Sequence, residues 1–256
     1  LASDDEWSAP IMAEVGPDGQ LWVIDWFNII VQHNPTPAGY KTGKGNAYEI
    51  DLRDKKHGRI YRVVWKGEEA QPIIPPNPDL ATVEGQLDAL KTGNMLWRKH
   101  AQRWIVENKA DVLQQLIVTI QDHATDEIGQ NSEVIHALWT LHGRGALNGS
   151  NPDANKALLI ALDHPSSGVR RNALAVAPRT EQFSKAIVKL GALRVRDAQV
   201  RLAGLLALAE MPPSSEAADA IRVAFASNAI EDRWLSDALI AAAARHDAQF
   251  LQLVAK

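Results

Sequence analysis

The feature that most restricts the fold of this chain is one apolar pattern that recurs along its C-terminal part. The clearest copy is Gly168–Ala177 (GVRRNALAVA). Val169, Ala173 and Ala177 stand four residues apart there and therefore share one face of a helix. Related stripes recur every 31 to 36 residues, with a small residue at positions 101, 137, 173, 204 and 238. A period of this length, with two helices in each unit, predicts a stacked helical array, or solenoid.

Glycine, proline and N-capping residues divide this part of the chain into helices. A short helix is predicted at 80–92. Five helix pairs follow, at 95–107 with 110–122, 131–142 with 152–163, 167–177 with 181–192, 197–210 with 215–227, and 231–244 with 247–255. The fifth pair ends near Lys256 without a polar capping helix, so we expect the natural polypeptide to continue.

The first 70 residues have the pattern of antiparallel strands. PIMAEV and LWVIDW flank a Pro-Asp-Gly turn that begins at Gly16, and GRIYRVVW at 58–65 predicts a further strand. The polar segment between Phe27 and Lys56 is predicted to be loop. The segment 71–79 (QPIIPPNPD) holds four prolines and predicts a stiff linker. We therefore predict a mainly α protein, with a small β segment at 1–70, a linker at 71–79 and helical repeats at 80–256.

Composition narrows the classes of function. The formal net charge of −4 argues against a nucleic acid as the partner. The chain has no cysteine, which excludes disulfides, thiolate metal sites and a cysteine nucleophile. No apolar run approaches the length needed to span a bilayer.

Two segments of the helical part, 163–177 (DHPSSGVRRNALAVA) and 196–210 (RDAQVRLAGLLALAE), resemble HEAT-like repeats. In such repeats an Arg and an Asp typically bridge neighbouring units, and we expect Arg98, Arg170 and Arg201 to form such inter-repeat ion pairs. The tryptophans Trp97, Trp104, Trp139 and Trp234 are expected to fill the stack.

The segments 14–34 (EVGPDGQLWVIDWFNIIVQHN) and 51–63 (DLRDKKHGRIYRV) resemble the last blade of a glucose/sorbosone-dehydrogenase-type β-propeller. With the HEAT-like part, the order of segments resembles that of membrane-bound or periplasmic dehydrogenase-like proteins of Planctomycetes and Verrucomicrobia. This resemblance implies a partial propeller blade in a periplasmic or secreted protein, with the remaining propeller blades or another protein as partner. It implies that the parent protein oxidises a sugar or alcohol with pyrroloquinoline quinone (PQQ) and calcium, and that haem lies in a separate segment.

Since a single blade cannot form a propeller, we expect the fragment itself to hold no cofactor and to act as a structural and partner-docking module. The alternative is a non-enzymatic HEAT-repeat scaffold that binds protein or polysaccharide.

The resemblance implies His33 as a base that Asp25 orients, because histidine titrates near neutral pH. It also leaves Arg59 and Lys44 as partners for the carboxylates of a quinone. The alternative is that Asp25 caps and packs the blade while the other three are solvated. No metal site is predicted: the spacing of Asp51, Asp54 and His57 fits no standard site, and His100, His136 and His142 are expected to pack or to face solvent.

Overall fold

The computed structural model describes residues 3–5, 7–27, 38–39, 41–42, 48–49, 56–67, 77–226 and 232–255. The chain divides into two compact units. The first comprises Leu1–Asn77 and Thr92–Trp97, and the second comprises Pro78–Lys91 and Arg98–Lys256. The protein is mainly α-helical with a small antiparallel sheet near the N-terminus, which confirms the predicted fold class.

The first unit contains a three-stranded antiparallel sheet whose central strand is the second one in sequence. Its strands are β1 (Pro10–Val15), β2 (Leu21–Asp25) and β5 (Arg59–Val63). They lie where the sequence predicts them. Gly19 adopts a φ of +78° in the turn between β1 and β2, a conformation that glycine accepts without strain.

A second antiparallel pair joins β3 (Lys41–Thr42) to β4 (Tyr48–Glu49). This pair falls in the segment predicted to be loop, so that prediction was wrong there. Two-residue strands are too short to leave a period-two pattern that sequence analysis could detect.

The described residues form eleven helices. They are α1 (Val83–Lys91), α2 (Met95–Asn108), α3 (Leu113–Ile120), α4 (Ser132–Gly143), α5 (Pro152–Leu162), α6 (Ser167–Val176), α7 (Glu181–Lys189), α8 (Ala198–Leu208), α9 (Ser215–Ala226), α10 (Arg233–Arg245) and α11 (Asp247–Val254). Their order and bounds follow the predicted pairs to within a few residues. Among the described residues, side-chain oxygens accept N–H bonds from the first turn at nine helix starts: Thr82, Asn94, Asn131, Asn151, Ser166, Thr180, Asp197, Ser214 and Asp232.

The helices of the second unit stack repeat on repeat, in the order of the sequence. One series runs α4, α6, α8, α10, each packed on the next, and α9 packs between α7 and α11. The repeated small residues are buried in this stack, and a Cβ added to Gly204 would lie 3.1 Å from Leu193 Cδ2 and 3.4 Å from Ala192 Cβ. Small residues at this position therefore let each helix approach the preceding repeat closely.

Two expectations about single side chains differ from the structure. Trp104 and Trp234 are 44% and 66% exposed, so they do not fill the stack. Arg170 and Arg201 each donate from one Nη atom to two carbonyls of the loop just before their own helix. Arg170 acts electrostatically on Asp197 of the next repeat, but the two side chains form no ion pair, so the expected inter-repeat ion pair was wrong at this junction.

Candidate functional site

The sheet unit holds a polar cluster built around Asp25, the last residue of β2. Asp25 is 1% exposed. Its Oδ1 accepts hydrogen bonds from the backbone N–H of Ala9 at 2.6 Å and of Phe27 at 3.1 Å. Its Oδ2 accepts from the Tyr61 hydroxyl at 3.0 Å and from Ser8 Oγ at 3.4 Å. The carboxylate thus joins the segment before β1 to β2 and β5.

Arg59, the first residue of β5, pairs with this carboxylate. Its Nε and Nη2 lie 3.1 and 3.0 Å from Asp25 Oδ2, and its Nη1 lies 3.0 Å from Asp5 Oδ2. The guanidinium also lies 3.8 Å from the centre of the Phe27 ring, within cation–π range. Phe27 has a φ of +48°, an uncommon conformation for a side chain of this size.

The charges of the cluster stabilise one another. Burial alone would raise the pKa of Asp25, but the Ala9 and Phe27 N–H groups, the Tyr61 hydroxyl and the Arg59 charge outweigh it, so the pKa lies below its usual value. Burial and the hydrogen bond to Asp25 raise the pKa of Tyr61. At neutral pH Asp25 is therefore an anion that accepts hydrogen bonds, and Tyr61 is a neutral donor.

Of the four site residues predicted from the sequence, two lie among the described residues of this unit. The structure brings Asp25 and Arg59 together as an ion pair, which the sequence did not predict. His33 and Lys44 lie outside the described residues, so their roles stay predictions. The geometry of Asp25 matches the alternative in which this residue caps and packs the sheet.

The cluster does not fit a quinone site. Arg59 Nε donates to Asp25 and Nη1 donates to Asp5, while Nη2 lies 3.0 Å from Asp25 Oδ2 without a hydrogen bond, so two carboxylates of this chain already neutralise the guanidinium charge. Among the described residues there is also no group of three or more His, Cys, Asp or Glu side chains that could hold a metal ion.

The same sheet exposes apolar side chains on both faces. Met12, Ile24 and Ile60 stand opposite one another across the three strands and are 50%, 44% and 67% exposed. Val15, Leu21 and Val63 form a second row, 52%, 40% and 41% exposed. Because side chains alternate along a strand, the two rows lie on opposite faces. We call them the first and the second apolar row.

The helical unit has a groove of about 460 Å³ between α6 and α8. Arg171, Ala175 and Arg179 line it from the side of α6, and Leu202, Leu206 and Glu210 from the side of α8. Arg179 Nε donates to Glu210 Oε2 at 2.6 Å across the groove. The surface is therefore a mixed apolar and charged one.

Three histidines join helices of this unit. His136 Nδ1 lies 2.7 Å from Gln102 Oε1 of α2, and burial, with the charges of Arg98 and Lys99, lowers the pKa of His136 to about 4. His164 and His246 are fully buried. From the sequence, His136 was considered but His164 and His246 were not. The sequence feature that these two share is their position at the end of a helix.

The family comparison concerns the sheet unit. Residues 1–67 match a family described as a domain of unknown function (DUF7133). No curated protein matches the sequence. In the described part of the chain, no helix is long and apolar enough to cross a membrane.

Proposed function

We propose that this chain is a structural and partner-docking module of a propeller–HEAT dehydrogenase-like protein, in which the sheet unit is one blade of a β-propeller. The observation that carries the proposal is the pair of apolar rows on opposite faces of one small sheet. A blade lies between two other blades, so both of its faces are covered in a complete propeller. A three-stranded sheet that exposes an apolar row on each face, and whose strands bury Val23 as their single apolar side chain, is by contrast a poor unit on its own.

The edges of the sheet support the same proposal. The outer strand β1 begins with Pro10, which has no N–H, and its pairing with β2 is irregular between Pro10 and Met12. Proline and bulges are devices that stop an edge strand from pairing further. The other outer strand, β5, pairs with β2 in unbroken register and has no proline. We therefore propose that the next strand of the blade adds to β5.

In the parent protein, the proposed activity is oxidation of a sugar or alcohol, with the quinone and calcium held by other parts of the propeller. The resemblance of 14–34 and 51–63 supports this part. Because Asp25 and Arg59 are committed to each other, their role here is to hold β2, β5 and the segment before β1 in place.

Oxidative footprinting tests the blade. Hydroxyl radicals should oxidise Met12 and Trp65 rapidly in the 256-residue chain, since these side chains are 50% and 75% exposed. In the complete natural product, both should react at least about tenfold more slowly because neighbouring strands cover them. Trp104 and Trp234, at 44% and 66% exposed, are controls on helices of the second unit and should react equally in both samples.

Equal oxidation rates of Met12 in the two samples would contradict the proposal that the sheet is a propeller blade. That result would favour the alternative, a HEAT-repeat scaffold that binds protein or polysaccharide and has the β segment as a cap. Dye reduction by the complete product, with quinone, calcium and a panel of sugars supplied, tests the activity separately. No turnover from an intact propeller would exclude the dehydrogenase part of the proposal.

A further inference from the structure

Two buried histidines of the helical unit make the same pair of backbone contacts at two different junctions. His164 follows α5, and its Nε2 lies 2.8 Å from the carbonyl oxygen of Asp122, just past the end of α3. Its Nδ1 accepts the backbone N–H of Ser166, the N-cap of α6, at 2.9 Å. The ring therefore ties the ends of two successive repeats, after α3 and after α5, to the start of α6.

His246 makes the second contact of this kind, at the turn between α10 and α11. Its Nε2 lies 3.0 Å from the carbonyl oxygen of Leu208, the last residue of α8. Its Nδ1 accepts the backbone N–H of Ser214, just before α9, at 3.0 Å. One imidazole thus joins the ends of α8 and α9 to α10.

This hydrogen-bond pattern requires a neutral ring. An N–H group points at Nδ1 in both sites, so Nδ1 must carry a lone pair, and Nε2 must carry the proton that faces a carbonyl. A second proton on Nδ1 would face an N–H donor. It would also place an unpaired charge in a site with 0% exposure.

Different groups surround the two rings, but in both sites their combined effect is to lower the pKa of the histidine. Burial lowers the pKa of His164, and His123, stacked 5.5 Å away, and Arg170 act in the same direction, whereas Asp122 opposes them. Burial lowers the pKa of His246, and Arg245 adds to this effect, while the bond to the Leu208 carbonyl opposes it. In both sites, then, opening of the junction favours proton uptake.

We infer that His164 and His246 are a pair of acid-sensitive latches, which hold two repeat junctions closed at neutral pH and let both open locally as the pH falls. The sign follows from linkage: the latches are at full strength above the ordinary histidine pKa of about 6.5 and weaken progressively below it. Because each repeat of an array contacts only its neighbours, a junction can open without unfolding the rest. The inference is independent of the proposed function.

Hydrogen exchange of the complete 256-residue chain at pH 7.5 and pH 5.0, corrected for the intrinsic rates, tests this directly. Peptides that contain Ser166 and Ser214 should exchange faster at pH 5.0, by at most about thirtyfold, because the ordinary histidine pKa of about 6.5 in the open state lies about 1.5 units above that pH. Peptides from α7, which has no histidine, should change by less than about twofold. Circular dichroism at 222 nm should stay constant, which separates local opening from unfolding.

Single substitutions assign the response to each latch. Asn keeps an acceptor near the position of Nδ1 but does not titrate, so His164→Asn should abolish the pH response at Ser166 and leave that at Ser214 intact. His246→Asn should do the reverse. His100→Asn, on the exposed surface of α2, is the matched control and should change neither response.

Each variant contains one unaltered junction as an internal reference, so a lower overall stability does not obscure the result. Acceleration that is equal in the α7 peptides, or that persists at Ser166 in His164→Asn, would overturn the inference. So would the absence of any acceleration in the unmodified chain.

Discussion

Replacement of Asp197 by Ala should weaken the contact between two neighbouring repeats by a predictable amount. Asp197 is the N-cap of α8 and accepts the backbone N–H of Gln199 at 2.9 Å and of Val200 at 3.1 Å. The cap bonds lower the pKa of Asp197, and Ser167 and Arg170 of α6 act on this pKa in the same direction. One side chain thus combines a helix cap with an electrostatic interaction with the preceding repeat, which we call the bridge.

The two contributions have separate magnitudes. Loss of an N-cap costs about 1 kcal/mol of unfolding free energy. Loss of a largely exposed charge interaction costs about 0.5 kcal/mol, because solvent screens it. We therefore expect Asp197→Ala to cost about 1.5 kcal/mol, and Asp197→Asn, which keeps the cap, about 0.5 kcal/mol. At about 2–4 °C per kcal/mol, the melting temperatures should fall by about 3–6 °C and 1–2 °C.

Differential scanning calorimetry at neutral pH measures both variants against the unmodified chain. The carboxylate contribution should disappear as the pH falls through the lowered pKa of Asp197, because a protonated Asp bridges no better than Asn. Equal losses in the Ala and Asn variants at neutral pH would show that Asp197 is not a cap. No loss in Asp197→Asn would show that the bridge to the preceding repeat contributes nothing.

Three further substitutions test other parts of the structure. Phe183→Ala empties a fully buried site in α7 and should lower the unfolding free energy, measured with urea, by about 3–5 kcal/mol. Leu190→Ala, at a 37% exposed side chain, is the control and should lower it by under about 1 kcal/mol. Similar losses in the two variants would contradict the packing described for Phe183. His136→Gln should make the unfolding free energy less dependent on pH between pH 6.5 and 4. The pKa of about 4 implies that protonation of His136 costs at most about 3 kcal/mol of unfolding free energy in acid, or about 1–2 kcal/mol after solvent screening. An unchanged pH dependence would show that His136 does not contribute to the loss of stability in acid. Arg59→Lys should raise the pKa of Asp25, so that the tryptophan fluorescence of the sheet unit changes at a higher pH on acidification; an unchanged midpoint would show that Arg59 does not stabilise the carboxylate.

The repeat period predicted the helical unit well because its cause is local. A stripe of apolar residues every third or fourth position defines the buried face of a helix, and the caps and glycines define its ends. Trp234 shows the limit of this reasoning. It occupies the same place in the pattern as Val200, which is 1% exposed, yet it is 66% exposed in the structure. Burial depends on which side of the helix a neighbour covers, and the stripe does not contain that information.

The candidate site could be predicted only in part. Asp25 was recognised from its place at the end of a predicted strand, but its partner Arg59 lies 34 residues away in sequence. Their pairing depends on the register of β2 with β5, which the alternating pattern alone does not specify. His164 and His246 were missed for a similar reason, since their partners, at Asp122 and Leu208, are backbone carbonyls of other repeats and leave no trace in the side-chain pattern.

Pairwise cross-linking is the most direct test of the central claim, that the helices of the second unit stack in sequence order. The chain has no cysteine, so pairs can be introduced without background. With a short bismaleimide, Ala175→Cys with Leu206→Cys, which face each other across the groove between α6 and α8, should cross-link rapidly. Trp139→Cys on α4 with Ile240→Cys on α10 should not, because two repeats separate them. Rapid cross-linking of this last pair would show a closed bundle and contradict the account.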